Sequence, residues 1–98
     1  MKFAYHPTMC PPDQYLPLAK AAEAIGFDTF TFPDSICYPK DGSDVYPYND
    51  DGTREFLDGV PFLEPFVAIP YLAAATEHIR FTTSVIKLAI RQPVIVAK

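Results

Sequence analysis

Strand-like and helix-like segments alternate along this 98-residue chain, and that order constrains its fold more than any single residue does. Lys2-Phe3-Ala4-Tyr5-His6 reads as a short buried strand ended by Pro7, which cannot donate to a sheet ladder. A helix follows from Pro12 or Asp13. Its apolar residues Tyr15, Leu18, Ala19, Ala22 and Ile25 recur at three- and four-residue spacing, and Gly26 stops it as a left-handed cap. Pro17 falls near the first turn, where its missing donor has no helical acceptor to lose. Thr29-Phe30-Thr31-Phe32 is β-branched and aromatic, a second strand closed by Pro33-Asp34. Pro65 then opens a second helix, with Phe66, Ile69, Leu72, Ala73, Thr76 and Ile79 on one face and Pro70 early enough to kink rather than break it. Arg80 to Leu88 reads as a third, buried strand, and Arg91-Gln92-Pro93 leads into barely one turn of a third helix. Strands alternating with helices normally make a parallel sheet. Three such units cannot cover both faces of it, so residues 1–98 are expected to be the opening portion of a larger α/β enzyme rather than a complete domain.

Residues 35–64 interrupt this rhythm. They show little periodicity, turn signals at Asp41-Gly42, Asp51-Gly52 and Asp58-Gly59, and the aromatics Tyr38, Tyr46, Tyr48, Phe56 and Phe62. The segment is about five times the usual connection in an α/β unit, and such loops are functional lids or disordered stretches. Its aromatic content favours an ordered lid. It also holds the acidity: Asp41, Asp44, Asp50, Asp51, Glu55, Asp58 and Glu64 against Lys40 and Arg54 give −5 there, within a net charge of −4 for the whole chain.

Composition narrows the function classes. At 49% hydrophobic and 14% aromatic the chain is globular, and no apolar run approaches the roughly 20 residues of a membrane helix. An acidic surface serves neither nucleic-acid phosphates nor anionic lipid. The first residues lack the pattern of a signal peptide, so a cytoplasmic location with Cys10 and Cys37 as free thiols is expected. Glycine-rich phosphate loops, paired-cysteine metal spacings and His-Glu-x-x-His helices are missing from the sequence. A calcium-loop reading of Asn49-Asp50-Asp51-Gly52 fails because it puts Pro47 at the first ligand position. No metal is expected.

In parallel α/β architectures ligands bind at the carboxyl ends of the strands. His6 after the first strand is a candidate substrate contact, although a packed or hydrogen-bonded structural role is commoner there. His78, at the end of the second helix, is read as a structural cation favoured by the dipole. Asp34, after the second strand, can accept from a cofactor's ring NH or sugar hydroxyl, or can cap its own turn. Thr82, Thr83 and Ser84 offer three hydroxyls, of which alternation lets only one or two face a common site. No residue is singled out as the catalytic acid or base.

Taken in order, Asp13-Gln14-Tyr15-Leu16-Pro17-Leu18-Ala19, Gly26-Phe27-Asp28, Pro33-Asp34, Tyr46-Pro47-Tyr48, Asp50-Asp51-Gly52, Arg54-Glu55-Phe56 and Thr83-Ser84-Val85 to Pro93-Val94 resemble the amino-terminal third of the luciferase-like monooxygenase superfamily. The likeness is greatest to the branch that uses the deazaflavin coenzyme F420. It implies a (β/α)8 TIM barrel of roughly 250 residues or more, to which this chain supplies three parallel strands, two helices and the insertion after strand two. It further implies hydride transfer between F420 and a small organic substrate, or, in relatives, reduced flavin mononucleotide (FMN) with oxygen. By position, Asp34 and Ser35 match the family's cofactor-ring contacts, and Thr83, Ser84 and Val85 match the segment backing the ring. That segment carries a bulge with a non-prolyl cis peptide, placed here between Ser84 and Val85. Two residues depart from the pattern: Ser35 stands where many F420-dependent members have histidine, and Thr82 where glycine is common. The family's phosphate-binding residues lie mainly in later units, and only Lys87, Arg91 and Lys98 lie near strand three. The chain alone is therefore expected to be inactive, its partners being the remainder of the barrel or further copies along open sheet edges, in a homo-oligomer. A non-catalytic, self-assembling α/β module is the reading from a different class.

Overall fold

The computed structural model describes residues 1–40 and 45–98. The Asp41-Gly42 turn and the carboxylate of Asp44 lie outside the described residues. Strands β1 (Ala4–Tyr5), β2 (Thr29–Phe32) and β3 (Arg80–Thr83) form one sheet in the order β1-β2-β3, parallel at both junctions. The α/β class and parallel pairing expected from the alternation are thus present, in an arrangement consistent with part of a luciferase-like barrel. Helices α1 (Tyr15–Ala24) and α2 (Pro65–Ala73) connect the strands, and α3 (Pro93–Ala97) follows β3. Among the described residues no helix is long and apolar enough to cross a membrane.

Register decides which side chains meet the helices. Tyr5 pairs with Phe30 and Phe30 with Phe81, so three rings share one face, with centroids 5.7 and 6.0 Å apart. Phe32 points the same way, since side chains two residues apart in a strand share a face. Tyr15 of α1 stacks on it at 4.7 Å. Ala19 and Ala22 of α1, Ala68 and Leu72 of α2, and Ile79 complete the core. Phe30 and Phe32 are wholly buried, and each side chain so buried contributes about 1.5–3 kcal/mol.

The boundaries of β2 match the sequence expectation, but several others move. β1 is two residues long, and Ala4 is exposed, so the brief strand is not a buried one. A 3₁₀ turn (Pro12–Gln14) precedes α1, and Ile25, expected on its core face, is 75% exposed because the helix has ended before Gly26 turns the chain at φ 89°. α2 stops at Ala73 instead of reaching Ile79, and it buries Pro65, Ala68 and Leu72 rather than Phe66 and Ala73. Thr76 lies beyond its end, where its hydroxyl donates to the Leu72 carbonyl. His78 also lies past the helix, with its amide donating to Glu23, so the expected position on the last helical turn does not hold. β3 ends at Thr83 rather than Leu88, and Leu88–Ile90 form a 3₁₀ turn. Its side chains alternate between exposed and half-buried, so it is not the buried strand expected.

Within the insertion, Tyr46 packs its ring against Tyr48 at 5.5 Å and Phe56 at 5.2 Å. The Asp51-Gly52 turn is held by the Asp51 carboxylate, which accepts from the amide and hydroxyl of Thr53, and by the Tyr46 amide donating to the Gly52 carbonyl. Gly52 sits at φ 68°, and a Cβ there would approach the Val45 side chain to 2.7 Å. Glycine is required at that position on both counts.

Candidate functional site

The carboxyl ends of β2 and β3 are joined by a network the sequence does not announce. Asp34 lies two residues past the end of β2, and its side chain is only 4% exposed. Its Oδ2 accepts from the Lys87 amide at 2.8 Å and from Arg91 Nη1 at 2.9 Å. The Lys87 ammonium donates back to the Asp34 carbonyl at 2.6 Å. Arg91 Nη1 also donates to the Lys87 carbonyl, while Nε and Nη2 form a fork on the Glu64 carboxylate at 3.3 and 2.7 Å. Glu64 in turn caps α2 by accepting from the Phe66 amide, and the Arg91 guanidinium lies 5.6 Å over the Phe66 ring. Fork geometry and a ring face suit arginine rather than lysine.

Electrostatics follow from these contacts. Burial pushes the Asp34 carboxyl up, but the Arg91 hydrogen bond, the Lys87 amide and both positive charges outweigh it and hold the group below the ordinary carboxylate range. Asp34 is therefore ionised at neutral pH. Asp34 and Glu64 raise Arg91 above its usual value, chiefly through hydrogen bonds.

Above this network lies the segment that the resemblance singles out. The Ser84–Val85 peptide is cis, where it was expected. The Ser84 amide donates to the Phe32 carbonyl at 3.1 Å, and Val85 is 66% exposed. Thr83 pairs with Phe32 and is half-buried, while Thr82 shares the opposite face with Thr31 and is exposed. Only alternate hydroxyls of the trio share a face. Ser35, half-buried, leaves the network and joins Ile36, Cys37, Tyr38, Leu57, Val60 and Phe62 in lining an open cleft of about 120 Å³ within the insertion. His6 is exposed just beyond the end of β1.

The structure thus brings Asp34, Thr83, Ser84 and Val85 together, with Ser35 adjoining them in the chain. The parts that sequence reasoning missed are Glu64 as cap and anchor, and Lys87 and Arg91 as internal partners rather than free cations. One signal was legible: a lone carboxylate after β2 opposite two cations after β3. Burial raises the Cys10 thiol and the Tyr15 hydroxyl, so neither is poised as an anionic nucleophile. Both cysteines are free. Among the described residues no group of three or more His, Cys, Asp or Glu side chains could hold a metal ion.

The model of one protein family, described as luciferase-like monooxygenase, matches residues 3–98. The chain belongs to the luciferase-like monooxygenase family. Uncharacterized proteins of Mycobacterium bovis and of two strains of Mycobacterium tuberculosis are each 51% identical to this luciferase-like chain over all 98 residues. The chain spans 34% of the length of each of these curated relatives. No solved structure matches it. Membership makes oxidoreductase chemistry the family setting for the strand ends described above, and the long relatives carry no assigned activity in their names.

Proposed function

We propose that this chain is the amino-terminal part of a cytoplasmic, homo-oligomeric oxidoreductase whose deazaflavin coenzyme, F420, exchanges hydride with a small organic substrate. The observation that carries the reading is the exposed Ser84-Val85 ledge at the carboxyl end of β3 in a luciferase-like chain. When bound, the cofactor supplies the redox chemistry, and the protein's part is to hold and orient it. Thr83, Ser84 and Val85 would back the ring, Ser35 would meet its polar edge, Asp34 would act at or behind that edge, and His6 is offered to the substrate. Residues of this kind fit a planar ring: an exposed aliphatic side chain with hydroxyls beside it. The phosphate end finds no such fit here. Lys87 and Arg91 are committed to Asp34 and Glu64, which supports leaving phosphate binding to the rest of the barrel and activity to the whole polypeptide. Two free thiols agree with a reducing compartment.

A second reading, FMN in place of F420, is favoured by Ser35, since it supplies no imidazole to the ring. Titrating a polypeptide of the relatives' full length with each cofactor, followed by absorbance and fluorescence, separates them. Tight binding of F420 alone supports the first reading, binding of FMN alone supports the second, and binding of neither removes both. A third reading, self-assembly without catalysis, draws on the exposed Val67 and Tyr71 of α2 and Val94 and Ile95 of α3. Light scattering that finds a stable monomer of the 98-residue chain would count against it.

A further inference from the structure

We infer that Asp34 and Arg91 are positioning residues, which fix the ledge that meets the ring rather than touching the ring themselves. The inference rests on the cofactor reading above for what the ledge is for, but the fixing itself is a matter of local geometry. Between Thr83 and Leu88 the backbone is fastened to the end of β2 at two points. Ser84 donates its amide to the Phe32 carbonyl at one end, and Lys87 donates its amide to the Asp34 carboxylate at the other. Val85 stands between these fastenings, 66% exposed. A residue held from both sides and free at its side chain is what a ring-backing surface requires, because misplacement by about 1 Å can cost a hundredfold in a reaction that depends on orientation.

Asp34 is placed for this task and poorly placed for direct contact. With 4% of its side chain exposed, and Oδ2 shared between the Lys87 amide and Arg91, it offers little surface to a ligand. Arg91 extends the brace. Its Nη1 bridges Asp34 and the Lys87 carbonyl, so both the amide and the carbonyl of Lys87 are held. Its other edge carries the brace to Glu64 at the start of α2. Lys87 closes the loop through its ammonium on the Asp34 carbonyl. Four donors thus converge on the strand-end backbone and one carboxylate, with Val85 as the exposed product of the arrangement.

The test uses a polypeptide of the relatives' full length, with Asp34→Ala, Asp34→Asn, Arg91→Met and, as a candidate contact variant, Ser35→Ala. Amide hydrogen exchange at Lys87 reads the brace, and titration with F420 and with FMN reads the ledge. Asp34→Ala is expected to speed exchange at Lys87 about tenfold or more, as loss of a charge-assisted bond allows. It should weaken binding of whichever ring the unmodified protein takes, while Asp34→Asn, which keeps an acceptor oxygen, recovers part of both. Arg91→Met should reproduce the loss, and the Asp34→Ala/Arg91→Met double variant should add little to either single one. Ser35→Ala should change binding without changing exchange at Lys87. Weaker ring binding in Asp34→Ala with Lys87 exchange unaltered would overturn the inference and return Asp34 to direct contact. Faster exchange with ring binding unaltered would overturn it too, leaving a brace without a role in the site. If the unmodified protein binds neither ring, the cofactor reading falls, and exchange alone reports on the brace.

Discussion

A carboxylate ties neighbouring units together at each end of the sheet, and the two ends do it by different chemistry. At the amino end, Glu23 of α1 accepts from three consecutive amides, those of Glu77, His78 and Ile79, at 2.9, 2.6 and 2.9 Å. Those bonds, led by His78 and Ile79, pull its pKa below the ordinary value. Asp28 assists by accepting from the Phe3 amide. At the carboxyl end, Asp34 is buried and answers to one amide and a guanidinium that is itself shared with Glu64. At the amino end the side-chain carboxylates of Glu23 and Asp28 accept from backbone amides. The carboxyl end is held through side chains, which can present a surface and can also be altered residue by residue. That division agrees with the rule that barrel stability concentrates at one face and chemistry at the other.

The scale for both ends is set by the core between them. Phe30→Ala, which empties a wholly buried site, should cost about 3–5 kcal/mol, read as the midpoint of urea unfolding. A much smaller loss would mean that the sheet's centre does not couple its ends. Next comes Asp34→Ala, expected to cost about 2–3 kcal/mol, less than a buried pair usually does because Glu64 still engages Arg91. Glu23→Ala should cost less than Asp34→Ala in the same assay and should speed amide exchange at Glu77, His78 and Ile79 only. If instead it proves the larger, the contrast between the ends is inverted.

Acid sharpens the comparison. Both carboxylates titrate below their ordinary values in the folded chain, so each adds stability that is present above the unfolded carboxylate value of about 4 and lost as pH falls through the lower folded value. Unfolding midpoints measured across the acid range should therefore decline less steeply in Asp34→Asn and in Glu23→Gln than in the unmodified chain. The smallest effect belongs to Val85→Ala, an exposed site where the change in stability should stay within about 0.5 kcal/mol. Ring binding, not unfolding, is the assay in which Val85→Ala should register.

Much of the fold was legible because local signals agreed with tertiary demand. Thr29-Phe30-Thr31-Phe32 lies between a glycine cap and a proline, and the strand is found at those residues. α2 was harder to orient, since Phe66-Val67-Ala68-Ile69 offers no polar side to choose against. The small Ala68, not the large Phe66, is buried in the core, and the Phe66 ring lies under the Arg91 guanidinium instead. β3 was read too long for a related reason. Val85-Ile86-Lys87-Leu88 continues a strand-like composition, and nothing local reports that Lys87 will turn its amide toward a carboxylate 53 residues earlier. The candidate site is built from such distant pairs, 53, 57 and 27 residues apart. A single sequence names the charged residues without matching them.

One guanidinium joins the end of a strand, the loop after its neighbour and the first turn of a helix. In descent, that makes positions 34, 64 and 91 a single heritable unit. A lineage that exchanges the arginine must also refit two acids, so the three should drift in concert.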